Sequence, residues 1–466
     1  MGGFFGVAST SDCARDVFFG TDYHNHLGTS CGGMAGLGTD GIVRAVHDIR
    51  NSPFRTSMEG DLGRLAGQSG IGVISDTDCQ PVVIRSHLGV YAIVTVGVVT
   101  NAEELSAEAF SSKSTHFAES FEGGLSPTEL VASVINRETS FADGIRAVRE
   151  RIDGSCSLLL LTDEGIYAAR DRLGRTPIIL GSKDGAFAVS SESCAFPNLE
   201  YSTVRDLGPG ETVLVTAEGA ETIDEPGERM QMCSFLWVYY GYPASSYEGI
   251  NVEASRNRCG AALARRDDLT IDLVAGIPDS GTAHGIGYAS EAGVPFRRPF
   301  VKYTPTWARS FMPQDQAVRD VVARMKLIPI MELVKGQRML FVEDSIVRGT
   351  QLQDTIRLLF EAGAEEVHMR PACPPLIRAC KYLNFSRSKS EYDLAGRRAI
   401  RELGDDAGSV CDYAETGSAK QCAMVERIRL RLGLTSLRYQ ALPDMIEAIG
   451  LPKEKLCTYC WDGCEG

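Results

Sequence analysis

Met339-Leu340-Phe341-Val342-Glu343-Asp344-Ser345-Ile346-Val347-Arg348-Gly349-Thr350 is the stretch whose reading decides the fold. Its apolar start predicts a buried strand. Two adjacent carboxylates fall at the strand's carboxyl edge, and the Ser, Gly and Thr beyond them lead into a helix over Gln351 to Ala362. A loop of hydroxyls and backbone N–H groups at a helix start is a cradle for phosphate. The paired carboxylates suit ribose hydroxyls or a Mg2+ that keeps several of its waters. An acidic helix-capping turn would account for Asp344 or Ser345 alone, but not for the whole run.

A second unit of the same kind lies upstream. Ile271 to Gly276 reads as a buried strand, followed by the loop Pro278-Asp279-Ser280-Gly281-Thr282 and a helix over Ala283 to Ala292. This alternation, which sets in near residue 226, predicts a parallel sheet with crossover helices, with ligands at the carboxyl ends of the strands. Residues 1 to 225 read differently. Short apolar runs at Tyr91 to Val99, Ser157 to Leu161, Pro177 to Leu180 and Thr212 to Val215 are punctuated by turn residues, and helical periodicity is confined to Pro127 to Asn136 and Phe141 to Ile152. A layered α+β first half is expected. The acidic stretch Glu225 to Arg229 marks the expected boundary between domains 1–225 and 226–466.

The composition is that of an enzyme-sized globular chain: 466 residues, 44% hydrophobic and 23% charged, which excludes disordered and collagen-like classes. With 47 Lys+Arg against 61 Asp+Glu, the net charge of −14 argues against broad nucleic-acid or anionic-membrane binding. No apolar run approaches the roughly 20 residues that span a bilayer. The N-terminus lacks a charged-then-apolar leader, and 14 cysteines are too few for a disulfide scaffold, so a reducing, cytoplasmic setting is expected. Cys457, Cys460 and Cys464 nevertheless crowd together and ask for a ligand-binding explanation. By itself their C-x-x-C could be redox-active or zinc-binding.

The 339–350 segment resembles the phosphoribosyl-pyrophosphate (PRPP) signature of type I phosphoribosyltransferases, and its DSIVRGT wording is that of the glutamine PRPP amidotransferases. The resemblance extends over almost the whole chain, through RDRLGRTPIILG at 170–181, CSFLWVYYGYPASSYEGINV at 233–252, GIPDSGTAHGIGYA at 276–289 and AGAEEVHMRPACPP at 362–375. It implies a four-layer N-terminal-nucleophile-hydrolase-like glutaminase domain followed by a type I phosphoribosyltransferase domain. It further implies that Glu343 and Asp344 hold ribose hydroxyls and Mg2+ and that Ser345, Val347, Arg348, Gly349 and Thr350 cradle the 5′-phosphate. Asp279, Ser280, Gly281 and Thr282 would take pyrophosphate, with Ser280 a possible metal ligand. Lys302, Arg309, Arg324 and Lys326 fall on a segment that in this family closes over PRPP. Glu343 departs from the family's usual Asp but keeps the charge, and Gln351 replaces a common Thr.

The glutaminase half departs further. The family's N-terminal cysteine nucleophile, whose own α-amine serves as base, corresponds to Gly2. By the same resemblance, Leu27 and Ser75 stand where two arginines are expected, Val96 replaces the oxyanion-hole Asn, and Pro127 replaces an acid that meets the glutamine amine. Scaffold positions such as Gly6, Gly28, Asn101, Glu104, Asp171 and Pro177 are retained. A folded domain without glutaminase activity is expected.

In one branch of the family four cysteines bind a 4Fe-4S cluster, and their counterparts here are Cys233, Cys380, Cys457 and Cys460, with Cys464 a spectator. The other nine, Cys13, Cys31, Cys79, Cys156, Cys194, Cys259, Cys373, Cys411 and Cys422, are expected to be small buried hydrophobes. The resemblance implies transfer of ammonia, rather than a glutamine-derived amino group, to PRPP. A non-catalytic PRPP or nucleotide sensor and a transferase with another amine acceptor are the alternatives. It also implies purine nucleotides as inhibitors and a homodimer or homotetramer.

Overall fold

A computed structural model describes residues 2–111, 117, 120–121, 124–302, 327–383, 390–405 and 410–463. Two antiparallel sheets occupy the first half. In spatial order across the first, the strands are Ser202–Asp206, Ile179–Lys183, Ala186–Ser190, Gly3–Ser9, Ser69–Ser75, Cys31–Gly38 and Gly41–Asp48. The second runs Ala220–Asp224, Thr212–Val215, Ile166–Ala169, Gly154–Leu161, Gly89–Val99 and Val82–Ser86.

Strand alternation explains how these sheets stack. Phe4 and Ala8 on one sheet meet Ala92, Val94, Val96, Leu159 and Leu161 on the other in a core between them. The intervening residues face outward: Phe5 and Val7 pack on helix Ala14–Asp22 through Val17 and Phe18, whereas Tyr91, Ile93, Leu158 and Leu160 pack on helices Pro127–Ile135 and Phe141–Arg151. Each of these last two helices is started by a serine: Ser126 Oγ accepts from Glu129 N, and Ser140 Oγ from Asp143 N, both at 3.1 Å. The result is the expected four layers, helix, sheet, sheet, helix.

The second half holds a parallel sheet, Leu273–Gly276, Arg338–Glu343, Glu366–Pro371 and Ser436–Leu437. Its strands are apolar on both sides because both faces are covered. Leu340 and Val342 face helices Val252–Arg265 and Thr282–Ala292 through Cys259, Leu263 and Tyr288. Met339 and Phe341 face helices Thr350–Glu361 and Ala419–Leu432 through Ile356, Leu359, Ile428 and Leu432. Residues 225–231, which include the expected boundary, run without helix or strand. One apolar core joins the halves, linking Phe5, Met34 and Phe196 to Trp237, Leu376 and Trp461. Among the described residues no helix is long and apolar enough to cross a membrane.

Two expectations about cysteines are corrected. Cys31 and Cys79 are joined as a disulfide, their Cα atoms 5.3 Å apart, because strand pairing sets Cys31 opposite Ser75 and the turn that follows Ser75 brings Cys79 back. Cys411 and Cys422 are exposed rather than buried, Cys422 near the start of helix Ala419–Leu432.

Candidate functional site

The two loops picked out in the sequence sit side by side because their strands are neighbours in register, Gly276 opposite Val342. Ile277 N donates to Val342 O at 3.0 Å, locking one loop to the other strand's end. Glycine is required where they touch: a Cβ on Gly281 would collide with the Val342 carbonyl. Gly349, with φ at +77°, makes the left-handed step into helix Thr350–Glu361. The peptide between Pro278 and Asp279 is cis.

Within this cleft Ser280 Oγ donates to Glu343 Oε1 at 3.1 Å, and Asp344 N donates to the same oxygen at 3.2 Å. Ser345 Oγ donates to Asp344 Oδ1 at 2.5 Å. Burial first, and the neighbouring Asp344 charge second, push the Glu343 carboxyl well above the usual carboxylate range. The site therefore holds two crowded acids and a hydroxyl, which favours an arriving cation. Oxygen donors of this kind suit Mg2+, which takes one or two carboxylates and completes its shell with water and substrate phosphates.

The remaining predicted residues take several positions. Val347 O accepts from Ala395 N at 2.7 Å, fixing the loop after strand Arg338–Glu343 to the start of helix Ala395–Glu402. Arg348 lies 3.8 Å from Asp393. Thr282 and Thr350 each open a helix beside the cleft. Lys302, exposed, pairs with Asp279 of the Pro278–Thr282 loop at 2.9 Å. Arg309, Arg324, Lys326 and Cys464 lie outside the described residues.

Sequence reasoning missed the supports beneath this cleft. Arg256, nearly buried, donates to the carbonyls of Trp237, Tyr239 and Gly241 at 2.8 to 2.9 Å and holds that turn in place. His284, in the helix after the Pro278–Thr282 loop, bonds Val238 O at 3.1 Å; burial, then the Arg256 charge, lowers it to about 3. Arg256 falls outside the quoted motifs and His284, though inside the 276–289 match, acts like it through backbone carbonyls remote in sequence, which no local pattern prints.

At the other end of the molecule, Gly2 is buried, and a Cβ there would lie 2.5 Å from Ile74 O. Leu27 and Val96 are absorbed into apolar cores. Ser75 Oγ accepts from Thr77 N at 3.2 Å, and Pro127 is the first residue of its helix. Beside them Asp78, 1% exposed, accepts from Ser126 Oγ and Gln80 Nε2 at 2.6 Å and from Thr128 N and Thr77 Oγ1 at 3.1 Å. Gln80 Oε1 in turn accepts from Thr95 N at 2.7 Å, and the Thr95 and Thr128 hydroxyls bond at 2.7 Å. Asn101 keeps a scaffold role, donating to Arg151 O and accepting from Asp153 N.

Cys233, Cys380, Cys457 and Cys460 converge. Strands Met232–Cys233 and Leu456–Cys457 pair in parallel, with Cys233 opposite Cys457. Cys460 is pushed well above the usual thiol range first by its hydrogen bond with Cys380 and then by burial, with Cys233 and Cys457 adding to it. Burial leads at Cys233 and at Cys457. Among the described residues, no three His, Cys, Asp or Glu side chains are placed about a single metal ion.

Comparison with known proteins agrees with this geometry. Residues 68–198 match the glutamine amidotransferase domain family. The amidophosphoribosyltransferase of Methanocaldococcus jannaschii is 29% identical over 99% of this chain and 97% of its own. That of Archaeoglobus fulgidus is 31% identical over 74% of this chain and 76% of its own. The solved glutamine PRPP amidotransferase from B. subtilis, complexed with ADP and GMP, superposes with a TM-score of 0.85 at 26% identity, covering 99% of this chain and 96% of that one. The layers, the paired loops and these relatives together place the chain in the amidophosphoribosyltransferase family.

Proposed function

We propose that the protein joins free ammonia to PRPP, giving 5-phosphoribosylamine and pyrophosphate as the committing step of purine synthesis, and that it does not hydrolyse glutamine. The observation that carries the first part is the facing pair of loops, with Ser280, Glu343 and Asp344 gathered at adjoining strand ends. The second part rests on the first half's polar interior, where Asp78, Gln80, Thr95 and Thr128 satisfy one another and Gly2 has no room for a side chain. We place the division of labour at residue 225, with the glutaminase-like domain before it and the transferase domain after it.

In this reading Ser345, Val347, Arg348, Gly349 and Thr350 hold the 5′-phosphate by backbone N–H groups and the helix start. Asp279, Ser280, Gly281 and Thr282 hold the pyrophosphate. Glu343 and Asp344 bind the ribose hydroxyls and, with Ser280, hold Mg2+, which supplies charge neutralisation to the departing pyrophosphate. The nitrogen lone pair forms the new bond to C1′ as the C1′–oxygen bond breaks and its electrons leave with pyrophosphate. The ammonium formed then loses a proton to solvent. Positive charge that develops on the ribose in between is stabilised by the carboxylate pair below it. Lys302, Arg309 and Lys326 supply the cations of a closing flap that keeps water out.

The four cysteines fit an iron–sulfur cluster. The donor set is all thiol and largely buried, a chemistry that suits iron and sulfide. Cys233, Cys380, Cys457 and Cys460 would hold it, and its role there is structural. Purine nucleotides as inhibitors and a homodimer or homotetramer complete the reading. The test is PRPP-dependent pyrophosphate release with ammonium chloride, and with glutamine as the parallel donor. Release with ammonium alone is the expected result. Glutamine turnover would overturn the second part, and PRPP binding without release would turn the assignment to a sensor.

A further inference from the structure

Arg175 belongs to none of the loops above. It lies in the first half, after strand Ile166–Ala169, and is 4% exposed. Its carbonyl accepts the Cys233 N–H at 3.1 Å. Its guanidinium stacks 3.6 Å from the ring centre of Tyr382, two residues beyond Cys380, and its charge opposes the upward push of burial on the Cys457 thiol. One residue thus touches the segments of three of the four cysteines. Its other bonds run to Gly154 O at 3.2 Å and Gln231 Oε1 at 3.4 Å, and its Nε is buried without a partner.

None of these partners is a carboxylate. A guanidinium cannot shed its proton in a protein, and a buried charge left unbalanced is strongly unfavourable. Among the described residues Arg175 forms no ion pair like that of Arg370 with Asp267, although the buried Asp171 lines the same small cavity. What lies next to Arg175 instead is sulfur. Four neutral thiols would leave the cation unbalanced, whereas four thiolates around iron carry an excess of negative charge. Cluster potential follows that net charge and the hydrogen bonds to the sulfurs, and such outer partners fix ligand orientation.

We propose that Arg175 is the buried counter-charge of the iron–sulfur cluster held by Cys233, Cys380, Cys457 and Cys460, and that through it the glutaminase-like half takes part in holding the cluster. The inference rests on the cluster reading above. Arg175 is a positioning residue: it holds ligands and tunes the cluster without touching PRPP.

The experiment uses the full chain purified without oxygen, in wild-type form and as R175M and R175K. Iron and acid-labile sulfide per chain, the midpoint potential and the rate of bleaching in air are measured on each, beside the far-UV circular dichroism. The expected result is that folded R175M holds at least threefold less iron or bleaches at least threefold faster, with a more negative potential, and that R175K recovers most of both. A folded R175M with wild-type iron, bleaching and potential overturns the inference and leaves the cluster reading intact. If R175M is insoluble, R175K decides: wild-type potential with a stacked side chain lost supports the charge role, and a folded but iron-free R175K overturns it. A wild-type protein free of iron and sulfide overturns the cluster reading itself, and the role of Arg175 falls with it.

Discussion

Two acids, one in each half, teach opposite lessons. Asp78 accepts four hydrogen bonds from its own surroundings, and every donor is a neighbour in the fold. Glu343 accepts from Ser280 and from the next residue's N–H, stands against a second carboxylate and is driven well above the ordinary carboxylate range by burial. An acid saturated by its own chain is part of the scaffold. An acid crowded by another and short of donors is a place made for something to arrive. Asp78 is satisfied by its own surroundings, whereas Glu343 and Asp344 keep a place that favours a cation.

This contrast can be broken most forcefully at Asp344. D344N should lower PRPP-dependent pyrophosphate release with ammonium on the order of 1000-fold, the scale at which a charge-stabilising group is lost, while leaving the thermal midpoint near that of the wild type; steady-state kinetics and calorimetry would show both. The mirror-image result belongs to Asp78. D78A strands four donors and should cost about 3 kcal/mol of stability, read by urea denaturation, while the ammonium-dependent rate of the protein that remains folded stays within a few-fold of wild type. If D78A abolished the reaction without destabilising the chain, the division between scaffold and site would be wrong.

Smaller effects sharpen the same division. His24, fully buried with its ring nitrogens on Gly20 O and Ser190 Oγ, is held down to about 4, first by burial. A histidine depressed in the folded state binds its proton more readily when unfolded, so its contribution is complete above pH 6.5 and drains as pH falls through 4. About 2 kcal/mol should be lost between pH 7 and pH 5 on this account, and H24Q should flatten that slope in thermal melts taken across the range. The smallest effect expected is none: G2C should leave glutamine hydrolysis at background, because the side chain meets Ile74 O. Ammonia release from glutamine by G2C would reopen the first half as an enzyme.

Much of the second half was legible because its chemistry is local. The run from Met339 to Thr350 encodes strand, loop and helix start in consecutive residues, and the structure places each where the pattern puts it. The four layers were legible from alternation, since residues such as Phe4 and Phe5 declare their faces by position alone. What escaped was assembled from distant pieces. Gln80 meets Asp78 and Thr95 across a turn and a strand, Arg256 reads only carbonyls, and Arg175 reaches three other segments that carry cysteines. The Cys31–Cys79 link likewise depends on a strand register that no local pattern prints.

The pairing of Met232–Cys233 with Leu456–Cys457 also sets a timetable. Ser234 bonds to the carbonyl of Cys457, a residue that leaves the ribosome 223 residues later. The sandwich of residues 3–224 can be complete long before that bond exists, and domains of this kind fold as they emerge. Until translation reaches Cys457 and Cys460, Cys233 and Arg175 wait on the surface of a finished first half. Assembly of the thiol site therefore follows completion of the first half, with one wall of the site already built when the other arrives.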